Sequence, residues 1–213
     1  MTHFAQMIDG YRRFRNGGWQ EQRERWDGLA EGQSPKVMVI ACSDSRVEPS
    51  QIFDTNPGEI FVVRNVAALV PPFETTPGRH GVSAALEFAV QFLHVEEIVV
   101  MGHGLCGGCH AALHRSMAGA EPGRGGFIAD WIAMLDDASE QVRRDHSDID
   151  TLDAGRAMEM AAVQVSIANL RTFPCIQEKE RRDTLRLRGA FFAISDGVLH
   201  LLDEATGEFE PAA

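Results

Sequence analysis

Three short runs of consecutive apolar residues constrain the fold of this chain more than any other feature: Val37-Met38-Val39-Ile40-Ala41, Ile60-Phe61-Val62-Val63 after Glu59, and Ile98-Val99-Val100-Met101. A strand with one wet face alternates polar and apolar residues, whereas an unbroken run belongs to a strand covered on both faces, as in a parallel sheet. Between the second and third runs Val82, Ala85, Leu86, Ala89, Val90 and Leu93 recur at helical spacing. Strand, helix, strand is the crossover that a parallel pair requires. The pattern predicts an α/β fold with a mostly parallel central β-sheet flanked by helices.

The two ends of the chain read differently. Phe4, Met7, Ile8, Tyr11 and Phe14 form one apolar helical stripe, and Trp19, Trp26 and Leu29 suggest a second helix. Residues 1–32 are therefore expected to form an N-terminal helical arm ahead of an α/β core at 33–213, covering either that core or a neighbouring subunit. Further helices are expected at 109–117, 127–144 and 151–173, the last ended by Pro174. Ala190 to Ile194, Asp196-Gly197 and Val198 to Leu202 predict a C-terminal β-hairpin. With 213 residues and no linker-like stretch, a single domain is expected.

A formal charge of -11 disfavours nucleic acid and anionic membrane surfaces, which leaves small solutes as partners. No run reaches the roughly 20 apolar residues of a membrane span. The opening residues lack the basic flank and apolar stretch of a signal peptide, so a cytoplasmic location is expected. Four cysteines are too few for a disulfide scaffold in a chain of this length, and thiols in a reducing compartment more often serve metal or chemistry.

The chemistry-bearing residues follow two of the apolar runs. Ala41-Cys42-Ser43-Asp44-Ser45-Arg46 follows the first, and Gly102-His103-Gly104-Leu105-Cys106-Gly107-Gly108 follows the third. Open α/β sheets hold their ligands at the carboxyl ends of strands. Two thiolates and a neutral imidazole suit zinc, so Cys42, His103 and Cys106 supply three of four tetrahedral positions and leave the fourth to water. Cys109 is an alternative fourth ligand, but it stands where a helix begins and no second cysteine pair matches a zinc ribbon. Asp44 and Arg46 are placed to pair, with the guanidinium keeping the carboxylate ionised and fixed in direction. Such a carboxylate beside a metal ligand accepts a hydrogen bond from a zinc-bound hydroxide. Zinc with two thiolates has no net charge, so it acidifies water less than a three-histidine site with pKa ~7, which predicts an alkaline optimum.

Cys-x-Asp-x-Arg after one strand and His-x-x-Cys-Gly-Gly after a later one resemble the β-class carbonic anhydrases. The resemblance runs from Gln33 to the C-terminal hairpin and includes Gly58 to Ala67, Pro71-Pro72 and Ala84 to Val90. It implies an enzyme with one zinc per chain that interconverts carbon dioxide and bicarbonate by attack of zinc-bound hydroxide. It also implies a homodimer or a multiple of dimers, with the N-terminal helices clasping the partner. Carried onto this sequence, Cys42, His103 and Cys106 bind zinc and Asp44-Arg46 is the orienting pair. Gln33 donates to substrate across the subunit interface, the Gly107 amide assists, and Phe61, Val66 and Phe88 line an apolar pocket for carbon dioxide. Phe88 stands where many relatives carry tyrosine. Val39 stands where the bicarbonate-regulated subgroup carries tryptophan, so the chain resembles the unregulated, plant-like subgroup. Asp44 is then a conditional fourth ligand, paired with Arg46 at rest.

His80, His94, His110 and His114 are candidates for exporting the proton, and Cys109 and Cys175 are expected to be unligated. Two other functions compete. A thiol-disulfide protein would use Cys106 and Cys109, which leaves Cys42, Asp44, Arg46 and His103 without a role. A hydrolase of carbon disulfide or carbonyl sulfide would use the same fold and metal.

Overall fold

Strand β1 (Val37–Cys42) sits inside the sheet with hydrogen-bonded neighbours on both edges, which is why its apolar run is unbroken. The computed structural model describes residues 2–212. They form two compact units, Met1–Ser34 and Pro35–Ala213, and Gln33 falls in the first.

The first unit contains α1 (His3–Asn16), α2 (Gly18–Glu21) and α3 (Arg23–Leu29). Thr2 caps α1 by accepting from the Ala5 amide at 3.3 Å, and Arg13 and Arg15 sit in its last turn, where cations favour the helix dipole. Phe14 meets Trp26 edge-on at 6.0 Å, but Phe4 and Met7 are each 69% exposed.

In the second unit β1 is followed by α4 (Pro49–Ile52), β2 (Ile60–Asn65) and α5 (Gly81–Glu87), and then by β3 (Glu97–His103) and α6 (Gly107–Leu113). The helices α7 (Gly126–Ile132), α8 (Asp136–Asp145), α9 (Leu152–Leu170) and α10 (Pro174–Arg181) precede β4 (Arg186–Ala193), β5 (Val198–Asp203) and β6 (Glu208–Pro211). The sheet order is β2-β1-β3-β4-β5-β6; the first three pairings are parallel and the last two antiparallel. The expected α/β architecture is the observed one.

Period-two alternation sends successive side chains of the inner strands to opposite faces. Val39 and Ala41 of β1 pack in one buried cluster with α6, α8 and the first half of α9. Met38 and Ile40 pack in the other, with α5, α10 and the second half of α9. Each fully buried Ile, Leu or Phe in these clusters contributes about 1.5–3 kcal/mol. Gly102 lets α9 approach closely, since a Cβ there would stand 2.6 Å from Val163 Cγ2.

Several boundaries differ from the sequence reading. The helix expected at 127–144 is α7 and α8 separated by a 3-10 turn at Ala133–Leu135; Asp136 and Asp137 open α8, where acidic side chains favour a new helix start. The one expected around 82–93 passes from α5 into a π-turn at Phe88–Phe92. Pro174 does not merely end α9: it is the first residue of α10, a position that needs no amide donor. The C-terminal hairpin forms through Gly197 at φ 74°, and β6 adds a further edge strand that ends on Pro211.

Candidate metal centre

The chain leaves β1 for β2 on one side and reaches β3 on the other, so β1 and β3 flank the point where the connections reverse. The crevice at the carboxyl ends of such strands is where α/β sheets bind ligands. Cys42 ends β1 and His103 ends β3, and the ladder sets Ala41 beside Met101. Beyond His103 the chain turns sharply through Leu105, at a left-handed φ of 58°, so that Cys106 caps α6.

This path brings ligand atoms of Cys42, His103 and Cys106 within 4.8 Å of one another, with all three residues buried. Among the described residues no other group of three or more His, Cys, Asp or Glu side chains comes as close. His103 Nδ1 lies 2.9 Å from the Gly104 carbonyl, which can only accept; Nδ1 therefore carries the proton and Nε2 keeps its lone pair. That Nε2 is buried without a partner. An orphaned nitrogen acceptor beside two buried thiols fits a borderline-soft cation such as Zn2+, and the backbone carbonyl on Nδ1 is the usual second contact of a ligating histidine.

Close packing of the thiols splits their protonation. Cys106 is the ionised member, held far below the usual thiol range by hydrogen bonds from Cys109 and Cys42. Cys42 is pushed far above that range by its hydrogen bond to Cys106, by burial and by the Cys106 charge. For His103 burial opposes the charged form, but the neighbouring charge of Cys106 and the hydrogen bond to the Gly104 carbonyl favour it, and the group is raised. A cation among them would remove the conflict, because both thiolates then face positive charge.

Asp44 stands beside this cluster with both oxygens committed to Arg46: Nε donates to Oδ1 at 2.9 Å and Nη2 to Oδ2 at 2.7 Å. That hydrogen bonding holds the Asp44 carboxyl well below the usual carboxylate range. Arg46 Nη2 also donates to the Leu105 carbonyl at 3.0 Å, tying the first motif to the second. Arg64 at the end of β2 fixes the intervening loop, giving Nε to the Cys42 carbonyl at 2.9 Å and Nη2 to the Asp44 carbonyl at 2.6 Å, and pairing with Glu48.

Two residues that sequence reasoning missed lie just behind. Glu159, in the middle of α9 and 6% exposed, accepts from the Cys106 amide at 2.8 Å. Burial pushes its carboxyl up to about 7. It borders a cavity of about 280 Å³ that is also lined by Cys106, Cys109, His110, His114 and Arg156. Trp131 on α7 donates Nε1 to the Val66 carbonyl at 2.8 Å. A charge inside an apolar helical stripe was the available signal for Glu159; nothing local marked Trp131.

Of the other expected site residues, Gly107 opens α6, and a Cβ there would meet nothing within 4 Å. Val66 packs against α6, since a Cβ on Gly108 would stand 2.8 Å from Val66 Cγ1. Phe61 and Phe88 contact each other, with ring centroids 5.9 Å apart, but they are not at their own chain's metal cluster. Phe61 pairs with Met38, and at about 3.3 Å per residue the four steps from Met38 to Cys42 put it about 13 Å away along the strand. Gln33 is exposed in the first unit. Among the histidines, His110 and His114 lie on α6 with stacked rings 4.0 Å apart, and His114 Nε2 reaches Asp150 at 2.9 Å. His94 precedes the amino end of β3, away from His103, and His80 bonds the Thr76 carbonyl ahead of α5. All four cysteines are free; Cys106 and Cys109, at 2% and 3% exposed, offer a partner disulfide almost no sulfur surface.

Comparison with known proteins agrees with this geometry. The carbonic anhydrase family model matches residues 37–199. Beta carbonic anhydrase 3 of Arabidopsis thaliana is 36% identical over 194 residues, which are 90% of this chain and 74% of that protein. Chloroplastic beta carbonic anhydrase 5 of the same plant is 36% identical over 193 residues, 91% of this chain but only 62% of its own length. The solved structure of the β-carbonic anhydrase CcaA superposes with a TM-score of 0.90 at 28% identity, covering 99% of this chain and 100% of that one.

Proposed function

This chain belongs to the β-class carbonic anhydrases, and from that premise we propose that it hydrates carbon dioxide reversibly to bicarbonate and a proton, with one zinc ion per chain on Cys42, His103 and Cys106. The observation that carries the proposal is the buried Cys-His-Cys triangle in which His103 Nε2 has an unspent lone pair. Zinc held there supplies a Lewis acid that makes water nucleophilic near neutral pH.

The chain's own residues supply orientation. Ionised Asp44 can only accept, so an attacking water that donates its proton toward Asp44 keeps a lone pair aimed at carbon. Arg46 fixes the direction of that carboxylate from two sides. The Gly107 amide, open to approach, donates to an oxygen of the substrate, and Val66 supplies apolar wall. Phe61, Phe88 and Gln33 serve the site of a second copy, which makes the active unit a homodimer or a multiple of dimers; the exposed apolar side chains of α1 support that assembly. Both Asp44 oxygens lie on Arg46 and Val39 is buried, which supports the unregulated, plant-like reading with Asp44 off the metal. Among the described residues no helix is long and apolar enough to cross a membrane, and we assign the protein to the cytoplasm.

Zinc content and carbon dioxide hydration, measured together on wild type and Asp44→Asn, test this reading. The expected result is about one zinc per chain in both and hydration lowered about 10²-fold or more in the variant. Metal-free wild type, or a fully active variant, overturns it. Cys109→Ser is expected to keep hydration, whereas a dithiol mechanism would lose all function.

A further inference from the structure

The peptide unit between Leu105 and Cys106 is held at both ends. Its carbonyl accepts from Arg46 Nη2 at 3.0 Å, and its amide donates to Glu159 Oε1 at 2.8 Å. A peptide plane is rigid, so hydrogen bonds on its two opposite sides fix its orientation. A guanidinium at the oxygen and a carboxyl oxygen at the N–H both match the peptide dipole, and hydrogen bonds in series strengthen one another. Asp44, Arg46, the peptide and Glu159 thus form one connected line from the orienting carboxylate to the middle of α9.

This peptide is one that needs holding. Leu105 stands at a left-handed φ of 58°, where a residue with a Cβ persists only if its surroundings over-determine it. Cys106 is the N-cap of α6, yet its side chain makes no cap hydrogen bond, because its sulfur lies within 4.8 Å of the ligand atoms of Cys42 and His103. In a capping box the side chain at the third helical position reaches back to the N-cap amide. That position in α6 is Cys109, and the acceptor comes instead from Glu159, 53 residues further along. Glu159 is 6% exposed, with Met158, Ala162 and Val163 of the same helix buried beside it. An apolar side chain would fill that space without desolvating a carboxyl, so packing alone does not account for the residue.

We propose that Glu159 is a positioning residue for the metal centre: by holding the Leu105–Cys106 peptide it sets the direction of the Cys106 sulfur and of the carbonyl on which Arg46 rests. The proposal rests on the zinc reading above. It joins the metal ligand of the second motif and the orienting pair of the first through one buried contact.

Two substitutions separate reach from charge. Glu159→Asp keeps a carboxyl but draws it back by one methylene from the Cys106 amide, whereas Glu159→Gln keeps an acceptor oxygen at full length. Zinc affinity is compared by competition with a chromogenic chelator, Co2+-loaded proteins give the sulfur-to-cobalt absorption band, and kcat is measured at saturating zinc. For Glu159→Asp the expected result is about a tenfold or greater loss of zinc affinity, a shifted band and a kcat about tenfold lower. Glu159→Gln is expected to restore all three toward wild type. A folded Glu159→Asp with unchanged affinity, band and kcat overturns the proposal while leaving the zinc reading intact, and so does a Glu159→Gln that falls as far as Glu159→Asp. Wild type that binds no zinc at all overturns the zinc reading, and this proposal with it. If Glu159→Asp does not fold, wild type labelled with 15N-cysteine and 13C-glutamate supplies the test. The Cys106 amide nitrogen is expected to show scalar coupling to the Glu159 carboxyl carbon, whose resonance moves when zinc binds; absence of either overturns the proposal.

Discussion

Asp44 and Arg46, two residues apart, are joined three times: through Nε at 2.9 Å, through Nη2 at 2.7 Å and through the Arg46 amide at 2.9 Å. The guanidinium has one further contact, the Leu105 carbonyl, so the direction of the carboxylate is set by both halves of the site.

An ammonium cannot fork across two carboxylate oxygens and a carbonyl at once. Arg46→Lys is therefore expected to lower carbon dioxide hydration about tenfold and Arg46→Ala about 10²-fold, with zinc content unchanged in both. Stopped-flow hydration alongside metal analysis checks this; full activity in Arg46→Ala would sink the orienting role.

The pH profile follows from charge. Two thiolates would cancel the charge of a zinc ion held by Cys42, His103 and Cys106, so water there would be acidified less than on a three-histidine site with pKa ~7. Hydration is expected to rise toward alkaline pH in the wild type. Asp44 does not set the limb, since Arg46 holds it well below the usual carboxylate range. A rate flat from mildly acid to alkaline pH would contradict this.

Glu159 makes stability depend on pH in the opposite sense from a salt-bridged acid. Burial raises its carboxyl from 4.5 to about 7, so between those values the folded chain keeps a proton that the unfolded chain has released. Its contribution is full below pH 4.5 and lost as pH rises through about 7. In metal-free protein, Glu159→Gln is expected to remove that part of the decline in melting temperature while still accepting from the Cys106 amide. Parallel wild-type and variant curves across this window would refute it.

The exposed face of α1 yields a prediction about assembly. Phe4, Met7 and Tyr11 are 69%, 69% and 57% exposed, so changing all three to serine costs the chain's own fold little. The sedimentation mass is expected to move from a multiple of the chain toward 23.4 kDa. An unchanged mass would show that another surface holds the copies together.

Local chemistry was the legible part of this molecule. Unbroken apolar runs announced doubly covered strands because coverage acts on every residue of the run, and Cys42, His103 and Cys106 could be named because they follow strand ends. Asp196-Gly197 announced its turn for a similar reason: the positive φ that the turn needs is cheap for glycine. The illegible part was tertiary. The placement of Phe61 and Phe88 depends on strand register, which no composition reveals. Glu159 is one charge on a long helix in the sequence, and only the packing of α9 behind Cys106 gives it a partner; nothing local marked Trp131, whose indole meets the Val66 carbonyl just past β2. The split between α7 and α8 and the extra strand β6 were missed because short elements carry too few residues to establish a period.

Because β1 and β3 must be zipped side by side before the third ligand arrives, a zinc ion held there would serve as an inspector of finished folding. A chain still emerging or half-opened can grip metal with only His103 and Cys106, and such a bidentate hold surrenders its cargo to any competing chelator. Cys42, about sixty positions upstream, joins only once the long-range ladder closes. Retained zinc would then mark the molecules whose central strands have found each other, and its leakage would be the earliest sign that they are coming apart.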